Sequence, residues 1–448
     1  MRAPACVALV VFLCVWTLTT RGKYSASGDE PHYLIVTHSL VTDGDLDVGG
    51  NYAANDGRHL GHDGLARGLH AVETPRGTLR SIHGVGLSVL VAPPYVLGRL
   101  AAHLPSDALL ARMKMSRGLL TYAVVSLSLA ALTALATGLL TASLMPRLSP
   151  PMAAAVGLVA GLSPPIVSHA FLVFPDVVAY ALVCAVVWLT RREDRRDDHV
   201  ALLAVVAALG WLPWLHHKFA LYVPGLLAVV AWTRWTTLRA WSRSLWAVAA
   251  LLVVLPQVLL VAWSWQTWGT LGGALTTGGL PFSADTLRRG LVGLWLDRRS
   301  GLLAFAPIYG LVPLCWVLTR RTSWPWLLPA VLLVLPAASF TLGWWGGFSP
   351  AARYLLPLTP CFIAIIADAL QVRVVRALAL VLVVPQLAID VAAWREPRTL
   401  WPAASGNVLL RGLGPVGRIY EQALPDLQPT APDVTAVVTL TPAPRGLE

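Results

Sequence analysis

Charge is scarce in this chain of 448 residues. Only 13% of the residues are Asp, Glu, Lys or Arg, and 56% are apolar, which gives a mean hydropathy of +0.64. A soluble globular domain has about 25% charged and about 45–50% apolar residues, so this composition excludes that class. The apolar residues fall in runs that approach the roughly 20 residues needed to cross a bilayer. We therefore expect an all-α, polytopic membrane protein.

Cysteine is also scarce, and its placement excludes a disulfide or zinc–cysteine framework. All five cysteines lie in apolar runs, where they act as small buried hydrophobic residues: Cys6, Cys14, Cys184, Cys315 and Cys361. The net charge of +11 does not indicate nucleic-acid binding, because the basic residues lie in short connectors between apolar runs. We expect no nucleic-acid partner.

The apolar runs predict about eleven transmembrane helices. Their approximate ranges are 4–20, 118–141, 150–165, 176–190, 200–213, 219–233, 245–264, 301–318, 325–342, 354–370 and 375–393. Residues 1–20 could be a cleaved signal peptide, but no small-x-small cleavage site stands where one is needed. An uncleaved first helix is the favoured interpretation.

Basic residues orient the helices. The run 83–101 is interrupted by Pro93 and Pro94, and we interpret it as a juxtamembrane amphipathic segment instead of a span. Twelve basic residues then share one side, the cytoplasmic signature: Arg147, Arg191, Arg192, Arg195, Arg196, Arg234, Arg239, Arg243, Arg320, Arg321, Arg373 and Arg376. If 83–101 crossed, they would face outward. The N-terminus is thus expected in the cytoplasm.

This topology gives one transmembrane domain and an outer tail. Residues 1–393 form the domain, with long outer loops at 21–117 and 265–300, and residues 394–448 form a partly disordered tail. Loops longer than about 15 residues without a strong pattern are usually functional or disordered. The loop 21–117 is expected to carry juxtamembrane helices.

Two adjacent acids, Asp29 and Glu30, lie just beyond the first apolar run. Acids at the mouth of a membrane bundle are costly to desolvate and are seldom placed there without a function. A carboxylate at the lipid–water boundary can act as a general base on a substrate hydroxyl. The alternative is a solvated acidic pair in a loop.

An ordered set of motifs surrounds this pair. Its members are Gly28-Asp29-Glu30-Pro31-His32-Tyr33, Asp43-Gly44-Asp45-Leu46-Asp47 with Asn51-Tyr52, Phe174-Pro175-Asp176, His216-His217-Lys218, Asp297-Arg298-Arg299-Ser300-Gly301-Leu302-Leu303 and Trp344-Trp345-Gly346-Gly347-Phe348-Ser349-Pro350 running into Arg353-Tyr354. Together they resemble bacterial GT-C-fold membrane glycosyltransferases, similar to the protein O-mannosyltransferase and aminoarabinose transferase group. The resemblance covers roughly residues 4–393.

The resemblance implies a GT-C-like bundle that uses a polyprenyl-phosphate sugar and transfers the sugar, with inversion, to an acceptor hydroxyl on a glycan, lipid or protein at the outer membrane face. The first acid of the pair, Asp29, would be the general base, and Glu30 would orient the acceptor or support Asp29. Whether the sugar is a hexose or a pentose stays open. No cofactor is implied with certainty, since some GT-C enzymes use a divalent ion and others do not.

Such a reaction needs positive charge on the side of the leaving phosphate. Lys218 and Arg353 each lie at the outer end of a predicted span, and Arg298 and Arg299 are further candidates. The alternatives are interfacial snorkelling for the first two and solvation or pairing with Asp297 for the others. The remaining candidates for substrate binding each have an alternative in helix capping, interfacial packing or membrane anchoring: Asp176, His216, His217, Trp344 and Trp345.

The sequence predicts no specific metal site. Asp43, Asp45 and Asp47 begin like a calcium loop, but Val48 and Ala54 stand where an EF-hand requires Gly and Glu. His59, His62 and Asp63 have a plausible spacing but no identifiable partner pair. A divalent metal therefore stays open.

Two other functions compete with this interpretation. A secondary transporter would place ionisable residues at mid-span, between repeated halves. Here Asp368 and Asp390 are the main such residues, and there is no convincing repeat. A noncatalytic lipid-handling subunit of an envelope glycan pathway would be expected to lack Asp29 and Glu30. The glycosyltransferase is favoured.

Overall fold

The computed structural model of the protein describes residues 2–16, 26, 28–192, 199–270, 283–340, 343–403 and 405–428. Several sequence predictions lie outside these ranges: the end of span 4–20, Arg195 and Arg196, residues 271–282 of the second large loop, the last two residues of span 325–342, and the tail from residue 429.

Nearly all regular structure is helical. The region predicted to be the first outer loop contains α2 to α6, and apolar helices follow. The α-helices are α1 Arg2–Val15, α2 Glu30–Thr42, α3 Gly49–Ala53, α4 Val85–Leu90, α5 Ala92–Ala101, α6 Asp107–Arg112, α7 Arg117–Leu144, α8 Pro150–Leu162, α9 Ile166–His169, α10 Pro175–Arg191, α11 His199–Leu215, α12 Tyr222–Thr233, α13 Trp235–Arg239, α14 Arg243–Trp268, α15 Ala284–Leu296, α16 Leu302–Phe305, α17 Val312–Leu318, α18 Arg320–Ser323, α19 Leu327–Ala338, α20 Thr359–Ala369, α21 Arg373–Arg395, α22 Val408–Gly412 and α23 Gly414–Ala423.

The other elements are short. Strands β1 Ala71–Glu73 and β2 Leu79–Ser81 form an antiparallel hairpin within the first outer loop. Turns of 3₁₀-helix lie at Asp56–Leu60, His217–Phe219, Pro307–Leu311, Trp324–Trp326, Arg353–Leu358 and Pro397–Leu400.

Helices α7 and α10 form the centre of the bundle. α7 packs against α1, α5, α8 and α10, and α10 also contacts the 3₁₀ turn at Arg353–Leu358. Apolar positions three and four residues apart place Tyr180, Val183, Cys184 and Val187 on one fully buried face of α10. The N-terminus of α10 is therefore fixed inside the protein, which positions the polar residues that begin it.

Among the described residues, three helices are long and apolar enough to cross a membrane, namely α7, α14 and α21. Shorter apolar helices there are α1, α8, α11 and residues 307–318. α14 exposes large apolar side chains along its length, including Leu251, Val254, Leu255, Val258 and Leu259. Soluble proteins rarely expose so continuous an apolar surface to water, so this face of α14 is suited to contact lipid. The helical membrane class is confirmed, and the number of spans stays a prediction.

Two predicted spans are not single α-helices. The run 301–318 divides into α16, a 3₁₀ turn and α17, and the run 354–370 begins with a 3₁₀ turn before α20. Pro307, Pro313, Pro357 and Pro360 lie at these breaks. Proline lacks the backbone N–H that continuous helix requires.

The regions predicted to lie on the outer side are more ordered than the sequence indicated. Residues 85–101 form α4 and α5 with a short junction at Val91, and their juxtamembrane position stays a prediction. In the tail, α22 and α23 are present, and Leu427 and Gln428 donate to the buried carboxylate of Asp297. The tail is structured at least to residue 428.

Candidate functional site

The chain enters α2 through a constrained turn. Gly28 has φ = +60°, and a β-carbon there would lie 2.4 Å from the carbonyl oxygen of Phe348. Both observations require glycine at this position. Asp29 then caps α2, and Pro31 occupies the first turn, where its missing N–H costs nothing. The turn fixes the direction in which Asp29 leaves the backbone.

Four charged side chains of alternating sign form a continuous network. Arg353 Nη1 lies 2.8 Å from Asp29 Oδ2, and Arg353 Nε lies 3.0 Å from Asp176 Oδ2. Lys218 Nζ binds the other oxygen of Asp176. The guanidinium also lies over the ring of Phe174, 4.0 Å from its centroid. The network joins four distant parts of the sequence, which we call the Asp29–Lys218 network.

Exposure differs along the network. The side chain of Asp176 is fully buried, and those of Arg353 and Lys218 are 5% and 7% exposed, whereas that of Asp29 is 25% exposed. Asp29 is thus the member that a molecule outside can reach. Arg353 binds Asp29 directly, Asp176 binds Arg353, and Lys218 binds Asp176.

The charges of the network control its protonation. Burial alone would raise the pKa of Asp29, but the Arg353 guanidinium outweighs burial and holds the pKa of that carboxyl well below its usual range. Burial lowers the pKa of Lys218 to about 8, against the opposing effect of Asp176. Asp29 is therefore ionised at neutral pH, and Lys218 loses its proton under mildly alkaline conditions.

Glu30 faces into the protein. Its carboxylate is fully buried, and Oε1 accepts hydrogen bonds from the Tyr122 hydroxyl at 3.0 Å and from the Val173 backbone N–H at 2.8 Å. These bonds tie the start of α2 to α7 and to the segment before α10. Of the two roles expected for Glu30, orienting the acceptor or supporting Asp29, its full burial fits the second.

Two histidines flank the β-hairpin and reach Asp29. The register that pairs Ala71 with Ser81 brings together His70 before β1 and His83 after β2. His70 Nδ1 lies 2.9 Å from His83 Nε2 and 3.9 Å from Asp29 Oδ1. Burial lowers the pKa of His70, and it lowers the pKa of His83 to about 4. Both imidazoles are therefore neutral at pH 7.

A third histidine orients this pair. The ring of His32 stacks on that of His70 with centroids 3.7 Å apart and planes within 10°. His32 Nδ1 in turn lies 2.7 Å from the Tyr52 hydroxyl. Stacking on one side and the hairpin on the other hold His70 in place.

Two buried polar atoms beside the network have no hydrogen-bond partner in the part of the chain that the structure describes. They are the hydroxyl of Tyr33, whose ring lies 4.7 Å from that of His83, and Nε2 of His169. His169 is close enough to Asp176, Arg353 and Lys218 for their charges to act on it. An unpaired buried polar atom costs about 1–3 kcal/mol, and both side chains are fully buried.

Arg298 and Arg299 are held elsewhere. Both bind Asp426, and Arg299 Nη2 donates to the Gln428 carbonyl at 2.7 Å. The carboxylate of Asp297 accepts the N–H groups of Arg299 and Ser300, each at 2.9 Å. The structure thus joins this motif to the tail, and it does not place the two arginines in contact with Asp29, Arg353 or Lys218 among the described residues.

Trp344 and Trp345 differ in burial, and His216 and His217 differ in their contacts. Trp344 is buried, and a β-carbon on Gly293 would lie 2.2 Å from its ring, so Trp344 fills space against α15. Trp345 is partly exposed and meets Trp344 edge to face. His216 accepts the Lys218 N–H at 3.2 Å and so shapes the turn that carries Lys218, and His217 is partly exposed.

The acids of the apparent calcium loop bind the protein itself. Asp45 Oδ1 accepts the Asp47 N–H at 2.8 Å, and Asp47 Oδ1 accepts the Gly49 and Leu79 N–H groups at 3.0 and 3.1 Å. His59 pairs with Asp56, and Asp63 with Asn55. The donor set that fits a divalent ion is a different one, Asp29, His70 and His83, whose ligand atoms lie within 4.8 Å of one another. Two neutral imidazoles and a carboxylate are suitable zinc ligands.

Sequence reasoning found the four network residues separately but missed His70, His83, Tyr33 and His169. One signal for the first two was available. The turn Thr74-Pro75-Arg76-Gly77 between short β-prone segments predicts a hairpin, and a hairpin brings its flanking residues together. The local sequence around Tyr33 and His169 carries no pattern that predicts their position beside the network.

No protein-family model matches the chain, and no curated protein matches it significantly. Solved structures do. One is ArnT from Cupriavidus metallidurans bound to undecaprenyl phosphate, with 14% identity and a TM-score of 0.49 over 93% of this chain and 74% of that chain. Another is the Archaeoglobus fulgidus oligosaccharyltransferase in complex with Zn and sulfate, with 13% identity and a TM-score of 0.44 over 96% of this chain and 57% of that chain.

Both matches are distant in sequence and in structure. At this identity and these TM-scores, neither match assigns a substrate or a residue role to this chain.

Proposed function

We propose that this chain is a membrane glycosyltransferase. It would move a hexosyl or pentosyl group from a polyprenyl-phosphate donor to an acceptor hydroxyl at the outer membrane face, with inversion at the anomeric carbon. The acceptor would belong to a glycan, a lipid or a protein. The observation that carries the proposal is that Asp29 is partly exposed, while Arg353 and the buried Asp176 hold its carboxylate in a fixed direction.

Asp29 is the proposed general base. In the site without a bound donor, Arg353 lies close to Asp29 and keeps its pKa low. A carboxylate with a low pKa is a weak base. A donor phosphate beside Arg353 and Lys218 would bring negative charge to the same cations and raise the pKa of Asp29 toward the working range. Donor binding would thereby activate the base, and an acceptor would be deprotonated only when a donor is present.

The proposed reaction is a single displacement. The acceptor oxygen forms a bond to the anomeric carbon from the face opposite the phosphate, and its proton passes to Asp29. The bond between that carbon and the phosphate oxygen breaks, and the phosphate leaves with the electron pair. Lys218 and Arg353 would stabilise the charge that grows on the leaving oxygen.

Other residues would support this arrangement. Glu30 is proposed to position Asp29 by anchoring α2 to Tyr122 and Val173. Asp176 would align the two cations, and His217 and Trp345 remain candidates for substrate contact because they are partly exposed. Arg298 and Arg299 are left out of the donor site because Asp426 and Gln428 bind them.

The transporter alternative is less favoured. The two acids that the sequence places at mid-span have local partners. Asp368 Oδ2 accepts from Arg191 Nη1 at 3.0 Å, and Asp390 accepts from Ser163 Oγ at 2.7 Å and Gln386 Nε2 at 2.9 Å. These contacts satisfy buried groups within the bundle. A noncatalytic subunit remains the other alternative, and it is distinguished by turnover.

Turnover can be tested in membranes without knowledge of the acceptor. Cells that express the wild type, Asp29→Asn or Asp107→Asn would be extracted, and their polyprenyl-phosphate sugars measured by mass spectrometry. Asp107 lies in the same outer loop and is 89% exposed, so it is the matched control. We expect one lipid-linked sugar to accumulate in the Asp29→Asn cells alone. Equal lipid profiles in all three would contradict the proposal.

A further inference from the structure

Asp390 is a buried acid that the proposed transfer does not use. It lies in α21, within the predicted span 375–393. Ser163 and Gln386 donate hydrogen bonds to its carboxylate, but no cation pairs with it in the part of the chain that the structure describes. An ionisable side chain inside a membrane span is costly, and such residues usually mark a functional site.

The polar cluster around Asp390 has more acceptors than donors. Ser163 Oγ lies 2.7 Å from Asp390 Oδ2 and 2.5 Å from the Val159 carbonyl oxygen, so one hydroxyl proton serves two acceptors. The Gln386 amide donates to Asp390 and to the Phe305 carbonyl at 3.3 Å, and its own oxygen is buried without a partner among the described residues. The cluster therefore suits a ligand that brings several N–H groups, as an ammonium does.

A cavity of about 440 Å³ between α8 and α21 reaches this cluster. Asp390 lines it, and so does Arg395, an exposed residue at the end of α21. Trp394 lies between them and the lipid-facing side chains Leu162 and Leu387 complete the apolar wall. The cavity thus presents one negative and one positive charge beside an apolar surface. In the predicted topology it lies toward the outer leaflet, a depth that tryptophan favours.

A second cavity, of about 270 Å³, adjoins the first. Val159 lines both cavities, and the second continues along α8 and α21 and against α20. Its walls are mostly apolar, with Val156, Leu380 and Val383 among them. Such a space accommodates a hydrocarbon chain better than a hydrated headgroup. The two cavities together have the polarity of a lipid, charged at one end and apolar at the other.

We propose that the two cavities bind a bilayer phospholipid whose headgroup carries a primary amine, with phosphatidylethanolamine as the first candidate. Its ammonium would bind Asp390, its phosphate would bind Arg395, and one acyl chain would enter the apolar cavity. A polyprenyl phosphate fits less well, because its phosphate would bring a second negative charge to Asp390 without an ammonium to offset it. The site shares no residue with the Asp29–Lys218 network, so the proposal holds whether or not the sugar transfer is correct.

The test compares phospholipids that differ only in their headgroups. Delipidated full-length protein in detergent would be titrated with phosphatidylethanolamine, phosphatidylcholine or phosphatidylglycerol of identical acyl chains, and the bound lipid counted by native mass spectrometry. Phosphatidylcholine keeps the positive charge but has no N–H, and phosphatidylglycerol has no amine. Hydrogen bonds to charged groups are strong, so phosphatidylethanolamine should bind at least about tenfold more tightly than either. Equal affinities for the three lipids would overturn the proposal.

Variants locate the two charges. Asp390→Asn keeps the size of the side chain and removes its charge, so the preference for phosphatidylethanolamine over phosphatidylcholine should disappear. Arg395→Gln should weaken the binding of both lipids by a similar factor, because both carry the phosphate. The controls are Asp107→Asn and Arg398→Gln, which change exposed residues and should bind like the wild type. A preference that survived in Asp390→Asn would contradict the site.

Two further outcomes are decisive. If a variant fails to fold, the comparison of the three lipids on the wild type still tests the proposal. If an equimolar polyprenyl phosphate displaced the bound phosphatidylethanolamine, the cavities would belong to that lipid and the proposal would be wrong. The readout needs no sugar transfer. A wild type that prefers phosphatidylethanolamine but consumes no sugar donor would support this site and contradict the transferase.

Discussion

Arg353 Nη1 lies 2.8 Å from Oδ2 of Asp29, a contact between residues 324 positions apart in the chain. It connects the first outer loop to the segment before α20 and leaves Asp29 as the exposed end of a network that is otherwise buried. A guanidinium that binds one carboxylate through Nη1 and a second through Nε is rigidly placed. The predictions below follow from that placement.

Arg353→Ala should weaken donor binding and slow transfer, and Arg353→Lys should restore both only in part. A single ammonium cannot bind Asp29 and Asp176 in the same plane. The measurement is donor affinity and turnover of purified variants at matched folding. Removal of one member of a buried ion pair typically costs about 3–5 kcal/mol, so thermal unfolding must be recorded beside activity. Unchanged affinity and turnover in both variants would limit Arg353 to anchoring.

The pH dependence of activity should show the titration of the Lys218 amine. Its pKa of about 8 means that the amine loses its proton as the pH rises through 8, so Asp176 loses a cation and the network becomes more negative. A donor phosphate would then be repelled, and its KM should rise on the alkaline side. The guanidinium in Lys218→Arg keeps its charge to about pH 12, so the rise in KM should shift to a higher pH in this variant.

The control for this profile is Lys114→Arg, an exposed lysine of the first outer loop. It should leave the limb where it is in the wild type. An alkaline limb that stays at the same pH in Lys218→Arg would assign the titration to another group.

Glu30 should behave as a positioning residue. Glu30→Gln keeps an oxygen that can accept the Tyr122 and Val173 hydrogen bonds, so most activity and stability should remain. Glu30→Ala removes the acceptor of both hydrogen bonds. Loss of a buried hydrogen-bond partner costs about 1–3 kcal/mol, so the melting temperature should fall strongly. The thermal unfolding of both variants tests this. If Glu30→Gln folded normally but lost transfer entirely, the carboxylate charge itself would have to act on the substrate.

Asp176 and Lys218 should be strongly coupled. A double-mutant cycle with Asp176→Asn and Lys218→Gln should give a coupling energy above about 1 kcal/mol, because both groups are buried. The exposed pair of Asp285 and Arg289, 2.8 Å apart, is the matched comparison and should give at most about 0.5 kcal/mol. Equal coupling in the two cycles would mean that water reaches the network freely.

The topology can be tested with single cysteines in a background that lacks the five native ones. Gly77→Cys at the hairpin turn should react with an impermeant maleimide in intact cells, whereas Arg321→Cys should react only after permeabilisation. The basic residues of the inner connectors motivate this expectation. The reverse labelling pattern would invert the protein in the membrane.

Helix positions were accessible from the sequence because apolar runs and their length are local properties. α7 was expected at 118–141 and spans Arg117–Leu144, and α21 was expected at 375–393 and spans Arg373–Arg395. The breaks near Pro307 and Pro357 were missed, since average hydropathy does not register how a proline redirects the backbone.

The site was partly accessible. Asp29, Asp176, Lys218 and Arg353 were each selected from position and motif, but their mutual ion pairs depend on packing between distant segments. The inward direction of Glu30 follows from Tyr122 and Val173, and the burial of Trp344 follows from the space left by Gly293. These are tertiary contacts, which no local pattern encodes. His70 and His83 are brought to Asp29 by the hairpin register and by the way that hairpin packs on α2.

The most direct test of the role of Asp29 separates donor binding from turnover in purified Asp29→Asn, with Asp107→Asn as the control. Asn keeps the shape of the side chain and removes its basicity, so turnover should fall by about 10²–10⁴-fold while the Kd for the polyprenyl-phosphate donor stays within about threefold of the wild type. Near-normal turnover in Asp29→Asn would contradict the assignment of Asp29 as the base.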